Sequence, residues 1–234
     1  EDGIVLVTGT NATDVIRVQY TDSSRDEILI TIRNAAGNLL EEENYSADSV
    51  DRIIVNSLNG SDYVRNFTSI ESELNGGNGN DALSGGSSDD LIKGGFGADR
   101  LSGYSGNDVL LGEADDDTIK GGYGNDIIEG GRDSDVISGG DGNDTIYGDR
   151  TYLTSFRAGD DVVNGGDGND TIYGGYGNDT LNGNDGNDTI AGERGNDRIT
   201  GGNGNDLLFG DSTNLNDTRG GDDVISGNDG IDQL

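Results

Sequence analysis

Gly76-Gly77-Asn78-Gly79-Asn80-Asp81-Ala82-Leu83-Ser84 is one unit of a nine-residue period, Gly-Gly-x-Gly-x-Asp-x-aliphatic-x, that continues to the last residue. Its sixth position falls at Asp81, Asp90, Asp99, Asp108, Asp117, Asp126, Asp135 and Asp144, then at Asp161, Asp170, Asp179, Asp188, Asp197, Asp206, Asp223 and Asp232. All sixteen are Asp. The eighth position, from Leu83, Ile92 and Leu101 through Val163 to Ile225 and Leu234, is Leu, Ile or Val in every unit. Chance low complexity does not keep two chemistries in register over so many units.

Composition narrows what such a period can build. Glycine supplies 43 of 234 residues and only 30% of the chain is hydrophobic, so one ordinary globular core is not expected. The formal charge is −32, from 46 acidic against 14 basic residues, and a folded state would repel itself unless cations intervene. Acidic, glycine-rich chains are often disordered. Here proline is absent and the glycines are periodic, which argues for an ordered fold. There is no Cys, which excludes disulfides and thiolate sites, and no apolar run of the roughly 18 residues needed to span a bilayer. Phosphates would meet a polyanion, so nucleic acid is excluded as a partner.

The sixteen units resemble the repeats-in-toxin (RTX), or hemolysin-type, calcium-binding repeat over residues 76–234. The resemblance implies an all-β fold, a parallel β-roll or β-solenoid. Two repeats make one 18-residue coil, and each repeat gives a six-residue turn and a three-residue strand. The residues agree with it: glycines permit left-handed turns, and one inward aliphatic suits a strand over a thin core. Calcium takes six to eight oxygens, and a turn with one carboxylate and its carbonyls supplies only part of a shell. Coils stack roughly 4.8 Å apart, so the Asp of one repeat and that of the next-but-one share an ion. The sixteen Asp residues are therefore the expected metal ligands, in two rows holding up to about 14 Ca2+ ions. Magnesium demands a stricter octahedron, and zinc prefers His or Cys, neither of which occurs. The pattern departs from itself at the fourth position in Ser88, Asp115 and Asp133, and at the second in Tyr104, Glu113, Asp149 and Glu193. The first three predict strained or differently liganded turns.

Residues 1–75 read as a β-rich N-terminal cap of wider, degenerate solenoid coils. Apolar alternation marks Ile4-Val5-Leu6-Val7, Val15-Ile16-Arg17-Val18, Ile28-Leu29-Ile30-Thr31-Ile32 and Ile53-Ile54-Val55. Asp14 and Asp62 keep the spacing from Asp to aliphatic of the repeat. Eight-residue insertions, 150–157 and 212–219, each interrupt a repeat after Gly-Asp and are expected to project from one edge; Arg150, Tyr152, Phe156 and Arg157 give the first a binding-like composition, suited to an anionic glycan or a protein. Outward positions predict a polar face from odd repeats (Ser84, Arg100, Ser102, Lys120, Ser138, Asn164, Asn182, Arg198). Even repeats predict an apolar one (Leu91, Val109, Leu111, Ile127, Tyr147, Tyr173, Leu207, Phe209) that would pack on a second copy or another part of a parent protein.

No enzyme is expected. Without His or Cys there is no zinc-protease motif, Ser-His-Asp triad or thiol nucleophile, although composition leaves carboxylate-only glycoside chemistry and an Arg-base lyase open. Thr145, Thr171 and Thr189 stack at the seventh position, but Tyr147, Tyr173 and Ala191 beside them break the two-rank array of an ice-binding face. What remains is an extracellular, secreted or cell-surface calcium-binding module that forms a rigid rod. The alternatives are a subunit of a calcium-dependent fibre, surface layer or adhesin stacking end to end, and the C-terminal secretion or folding module of a larger secreted enzyme or toxin. The uncapped last repeat, ending at Leu234, and the abrupt start at Glu1 are expected either of a fragment of a longer array or of copies stacked head to tail.

Overall fold

The computed structural model describes residues 3–149, 159–211 and 221–234. Among them there is no α-helix, only strands, turns and one short 3-10 turn at Ala47–Ser49. The first strands are β1 (Ile4–Thr8), β2 (Asp14–Tyr20), β3 (Glu27–Asn34), β4 (Leu39–Ser46), β5 (Arg52–Asn56), β6 (Tyr63–Asn66), β7 (Glu71–Asn78), β8 (Ala82–Gly86) and β9 (Leu91–Phe96). From there each repeat through the one carrying Asp223 adds one strand, the last being Val224–Asp229, and the final repeat contributes only a bridge at Gln233.

From β4 onward successive strands alternate between two sheets, one ten-stranded and opening β1-β5-β7-β9, the other twelve-stranded and opening β4-β3-β2-β6-β8. Leu83 pairs with Leu101 and Ile92 with Leu110, so one coil is 18 residues and two repeats. This is the parallel β-roll that the resemblance implies. Each repeat buries its eighth-position aliphatic almost completely, from Leu83 to Leu208, between the sheets. One such side chain is worth about 1.5–3 kcal/mol. That is small against the entropy of ordering nine residues rich in glycine.

The two insertions, 150–157 and 212–219, lie outside the described residues, and so do their expected projection and binding-like composition. The array closes around both. Val136 pairs with Val162 and Arg198 with Val224, each 26 residues on, and the interrupted turns bring Asp161 and Asp223 into the same row.

The first 75 residues are only partly solenoid. β1, β5 and β7 run parallel, as do β2, β6 and β8, but β2–β3 and β3–β4 are antiparallel. The alternation of Ile28, Ile30 and Ile32 places these three side chains in the core, while the reversal of direction is set by short turns at 21–26 and 35–38. β4, the edge strand, is almost wholly exposed and carries Glu41, Glu42 and Glu43, charges that discourage another strand from adding there.

The two outer faces are less different than the outward positions predict. On the twelve-stranded sheet Val136, Val162 and Val224 are exposed; on the ten-stranded sheet Ile127 is exposed, while the other named apolar residues are half-buried. Stacking does this: Leu91, Val109 and Ile127 lie in register, and the Tyr147 and Tyr173 rings stack at 5.2 Å. The expectation of a polar odd-repeat face is corrected accordingly.

Candidate metal centre

The repeat turns lie along the two edges of the roll, and their sixth-position carboxylates form two rows. One holds Asp81, Asp99, Asp117, Asp135, Asp161, Asp179, Asp197 and Asp223; the other holds Asp90, Asp108, Asp126, Asp144, Asp170, Asp188, Asp206 and Asp232. Within a row each Asp backbone N–H donates to Oδ1 of the Asp one coil later, for example Asp81 N to Asp99 Oδ1 at 2.7 Å and Asp90 N to Asp108 Oδ1 at 2.8 Å. Fourteen of the sixteen are buried, and in all fourteen Oδ2 has no hydrogen-bond partner. Asp223 and Asp232, in the last coil, are half-buried and stand apart from that pattern.

The orphaned oxygen faces a second acceptor. A β-carbon on Gly76 would stand 2.5 Å from Asp81 Oδ2 and 2.5 Å from the Gly94 carbonyl oxygen, and the same two kinds of oxygen frame the first glycine of every repeat from Gly76 to Gly201. Glycine is required there because any side chain would fill this space. A buried carboxylate oxygen beside a carbonyl, with no donor between them, is costly unless a cation neutralises both. Among the described residues no three acidic, His or Cys side chains converge, so a cation here would draw on one or two carboxylates and take its other ligands from backbone carbonyls. That oxygen-only donor set fits calcium.

Electrostatics agree with the geometry. Without a cation, burial drives the carboxyl pKa values up against the lowering effect of the donated N–H, and neighbouring carboxylates add to the rise. Asp135 reaches about 9, Asp117 and Asp179 about 8, and Asp99, Asp108, Asp161 and Asp170 about 7. Such carboxylates would rather hold a proton than stand charged and bare.

The irregular turns separate into two kinds. Tyr104, Glu113 and Glu193 at the second position, and Asp115 and Asp133 at the fourth, adopt the left-handed conformation that glycine takes elsewhere, at φ from 66 to 82°. They keep the turn at a cost in strain. The turn Gly85–Asp90 does not keep it: neither Gly86 nor Ser88 has positive φ. It rests on the cap turn 66–72, where Ser88 Oγ donates to the Ser69 carbonyl and Ser87 N to that of Thr68. At this end of its row Asp90 Oδ1 accepts from both N and Oγ of Ser72, at 2.7 Å each.

A second ladder was not anticipated. Fifth-position side chains accept from the backbone N–H one coil later, as in Asn125 N to Asn107 Oδ1 and onward through Asn143, Asn169, Asn187 and Asn205. The signal was present in the run of Asn, Asp and Ser at that position. Asp62 and Asp14 also extend the first row beyond Asp81, through Asp62 N to Asp81 Oδ1 and Asp14 N to Asp62 Oδ1, both at 2.6 Å.

A comparison with curated proteins finds no significant match. A family profile of four copies of the RTX calcium-binding nonapeptide repeat matches residues 75–110, 102–137, 120–150, 157–190, 182–214 and 217–234, about two thirds of the chain. With that match, and with a parallel roll whose turns carry its aspartates in two rows, the chain belongs to the RTX calcium-binding nonapeptide repeat family.

Proposed function

We propose that this chain is an extracellular, non-catalytic structural module that folds into a rigid rod on binding calcium. The sixteen repeat aspartates supply the side-chain ligands, and turn carbonyls complete each shell, in up to about 14 sites. The observation that carries this reading is the fourteen buried Oδ2 atoms without a hydrogen-bond partner, each beside a carbonyl oxygen in the same frame. A bound divalent cation supplies the positive charge that those paired oxygens lack. The chain supplies the rest: it aims the carboxylates by donating N–H to Oδ1, spaces the turns by strand pairing, and clears the space with glycine. The net charge of −32 makes the cation-free array self-repelling, which links folding to binding.

The test is circular dichroism of the whole chain in excess chelator and in millimolar calcium, with bound calcium counted by equilibrium dialysis. The β signal should appear with calcium, with many ions bound per chain. An identical spectrum in both conditions, or no bound calcium, removes the reading.

A further inference from the structure

The family profile begins at residue 75, and the nine-residue period at Gly76, yet the turn just before them has the same shape as the array turns. Ser57-Leu58-Asn59-Gly60-Ser61-Asp62 places left-handed residues at its second and fourth positions, Leu58 at φ 77° and Gly60 at φ 140°. Gly77 and Gly79 do the same in the first matched turn, at 105° and 129°. Leu58 is not a glycine and is held there at a cost of order 1–3 kcal/mol, so its turn is over-determined by its surroundings. The next coil packs onto it as array coils pack onto one another. A β-carbon on Gly77 or Gly79 would strike the carbonyl of Leu58 or Gly60, as one on Gly95 or Gly97 would strike that of Gly77 or Gly79.

Asp62 completes the likeness. It is 2% exposed, its Oδ1 accepts the Asp14 N–H at 2.6 Å, and its Oδ2 is buried with no partner. In the array such an Oδ2 is grouped with the first-position carbonyl of the next coil, here Gly76. Besides Leu58, the local difference is Ser57 in place of glycine, fully buried, with Oγ 3.0 Å from both the Asn75 and the Gly76 carbonyl oxygens and close to the Asp62 carboxylate. A serine hydroxyl adds an oxygen where glycine leaves space, and hard cations accept hydroxyl and carbonyl oxygens alike. The turn below does not continue the series: neither Thr10 nor Ala12 has positive φ, and Asp14 Oδ2 closes onto its own turn by accepting the Thr10 N–H.

We infer that the turns 57–62 and 76–81 hold a further calcium ion between them, with the Asp62 carboxylate, the Ser57 hydroxyl and the Gly76 carbonyl among its ligands. This site lies outside the nonapeptide repeats and fastens the cap to the array. It rests on the calcium reading above, and the experiment separates the two. Crystals of the whole chain grown in calcium, with anomalous difference maps collected at long wavelength, should show a peak beside Asp62 Oδ2 in addition to peaks along both array rows. Peaks along the rows with none at Asp62 overturn the inference, and mean that the Ser57 hydroxyl stands in for the ion. No peaks anywhere overturn the calcium reading itself. In solution, Asp62→Asn should lower the calcium count by one relative to wild type, with the calcium-loaded β signal retained; an unchanged count overturns the site. If that variant does not fold, the map of the unaltered chain still decides.

Discussion

Residues 3–75 bury twelve aliphatic side chains, whereas the described residues from 76 onward, nearly twice as many, bury fifteen. The contrast reverses for carboxylates. The first region buries Asp14 and Asp62; the second buries fourteen repeat aspartates with an unpaired oxygen in each. The strands of both regions share the same two sheets. The difference teaches that one pair of sheets can be built on two bases, apolar burial in the cap and rows of carboxylates that call for cations in the array, and that the two halves should answer to different perturbations.

The largest expected effect is a split response to chelation. In excess chelator, backbone amides of the array should lose hydrogen-exchange protection by several orders of magnitude, while β2, β3 and β5 retain theirs. Exchange read by mass spectrometry on peptides from each region checks this. Equal protection in both would erase the comparison.

A pH dependence of smaller size sharpens it. Array carboxyls have raised pKa values in the cation-free fold, so that fold is favoured below the ordinary carboxyl pKa near 3.8 and disfavoured as pH rises through the range of about 6 to about 9. In chelator, the array should show more β signal at pH 4 than at pH 8. With calcium the sign reverses, because protons compete for the same oxygens. Between pH 8 and pH 5.5 the calcium midpoint should rise by about tenfold or more. Calcium titrations at the two pH values, followed by circular dichroism, give both numbers; a pH-independent midpoint would contradict the role of buried carboxylates.

The smallest effect concerns strain within the array. Asp133, left-handed at φ 66°, occupies a fourth position that is glycine in most repeats. Asp133→Gly should stabilise the calcium-loaded roll by about 1 kcal/mol, visible as a modest rise in melting temperature. A fall would mean that the Asp133 side chain contributes more than its backbone costs.

The array was legible because its period is rigid: one Asp and one aliphatic in each nine residues announce coil, edge and core together. The cap was half-legible. Alternation at Ile28, Ile30 and Ile32 identified a strand with one buried face, but alternation does not say which way its neighbour runs, and the antiparallel pairs went unseen. Asp62 escaped the ligand assignment for a similar reason. It precedes Asp81 by 19 residues and follows Asp14 by 48, so no count of nines or eighteens reaches it, although the cap turn 66–72 takes up the one extra residue and the β3–β4 hairpin most of the rest. The turn Gly85–Asp90 carries two glycines and its aspartate, and takes its shape from Thr68 and Ser69 beneath it, which its own residues do not encode.

The hydrogen bond from each Asp backbone N–H to the carboxylate of the coil that follows gives each aspartate row a polarity. A coil's own carboxylate completes its predecessor, and its own amide waits for a successor. In a one-dimensional lattice with nearest-neighbour coupling each ordered coil favours the next, so the cap, which shares one continuous core with the array, would serve as a template from which order spreads outward. A lesion in mid-array would then leave the coils on the cap side short of one bond per row, and deprive those beyond it of the surface on which they would grow.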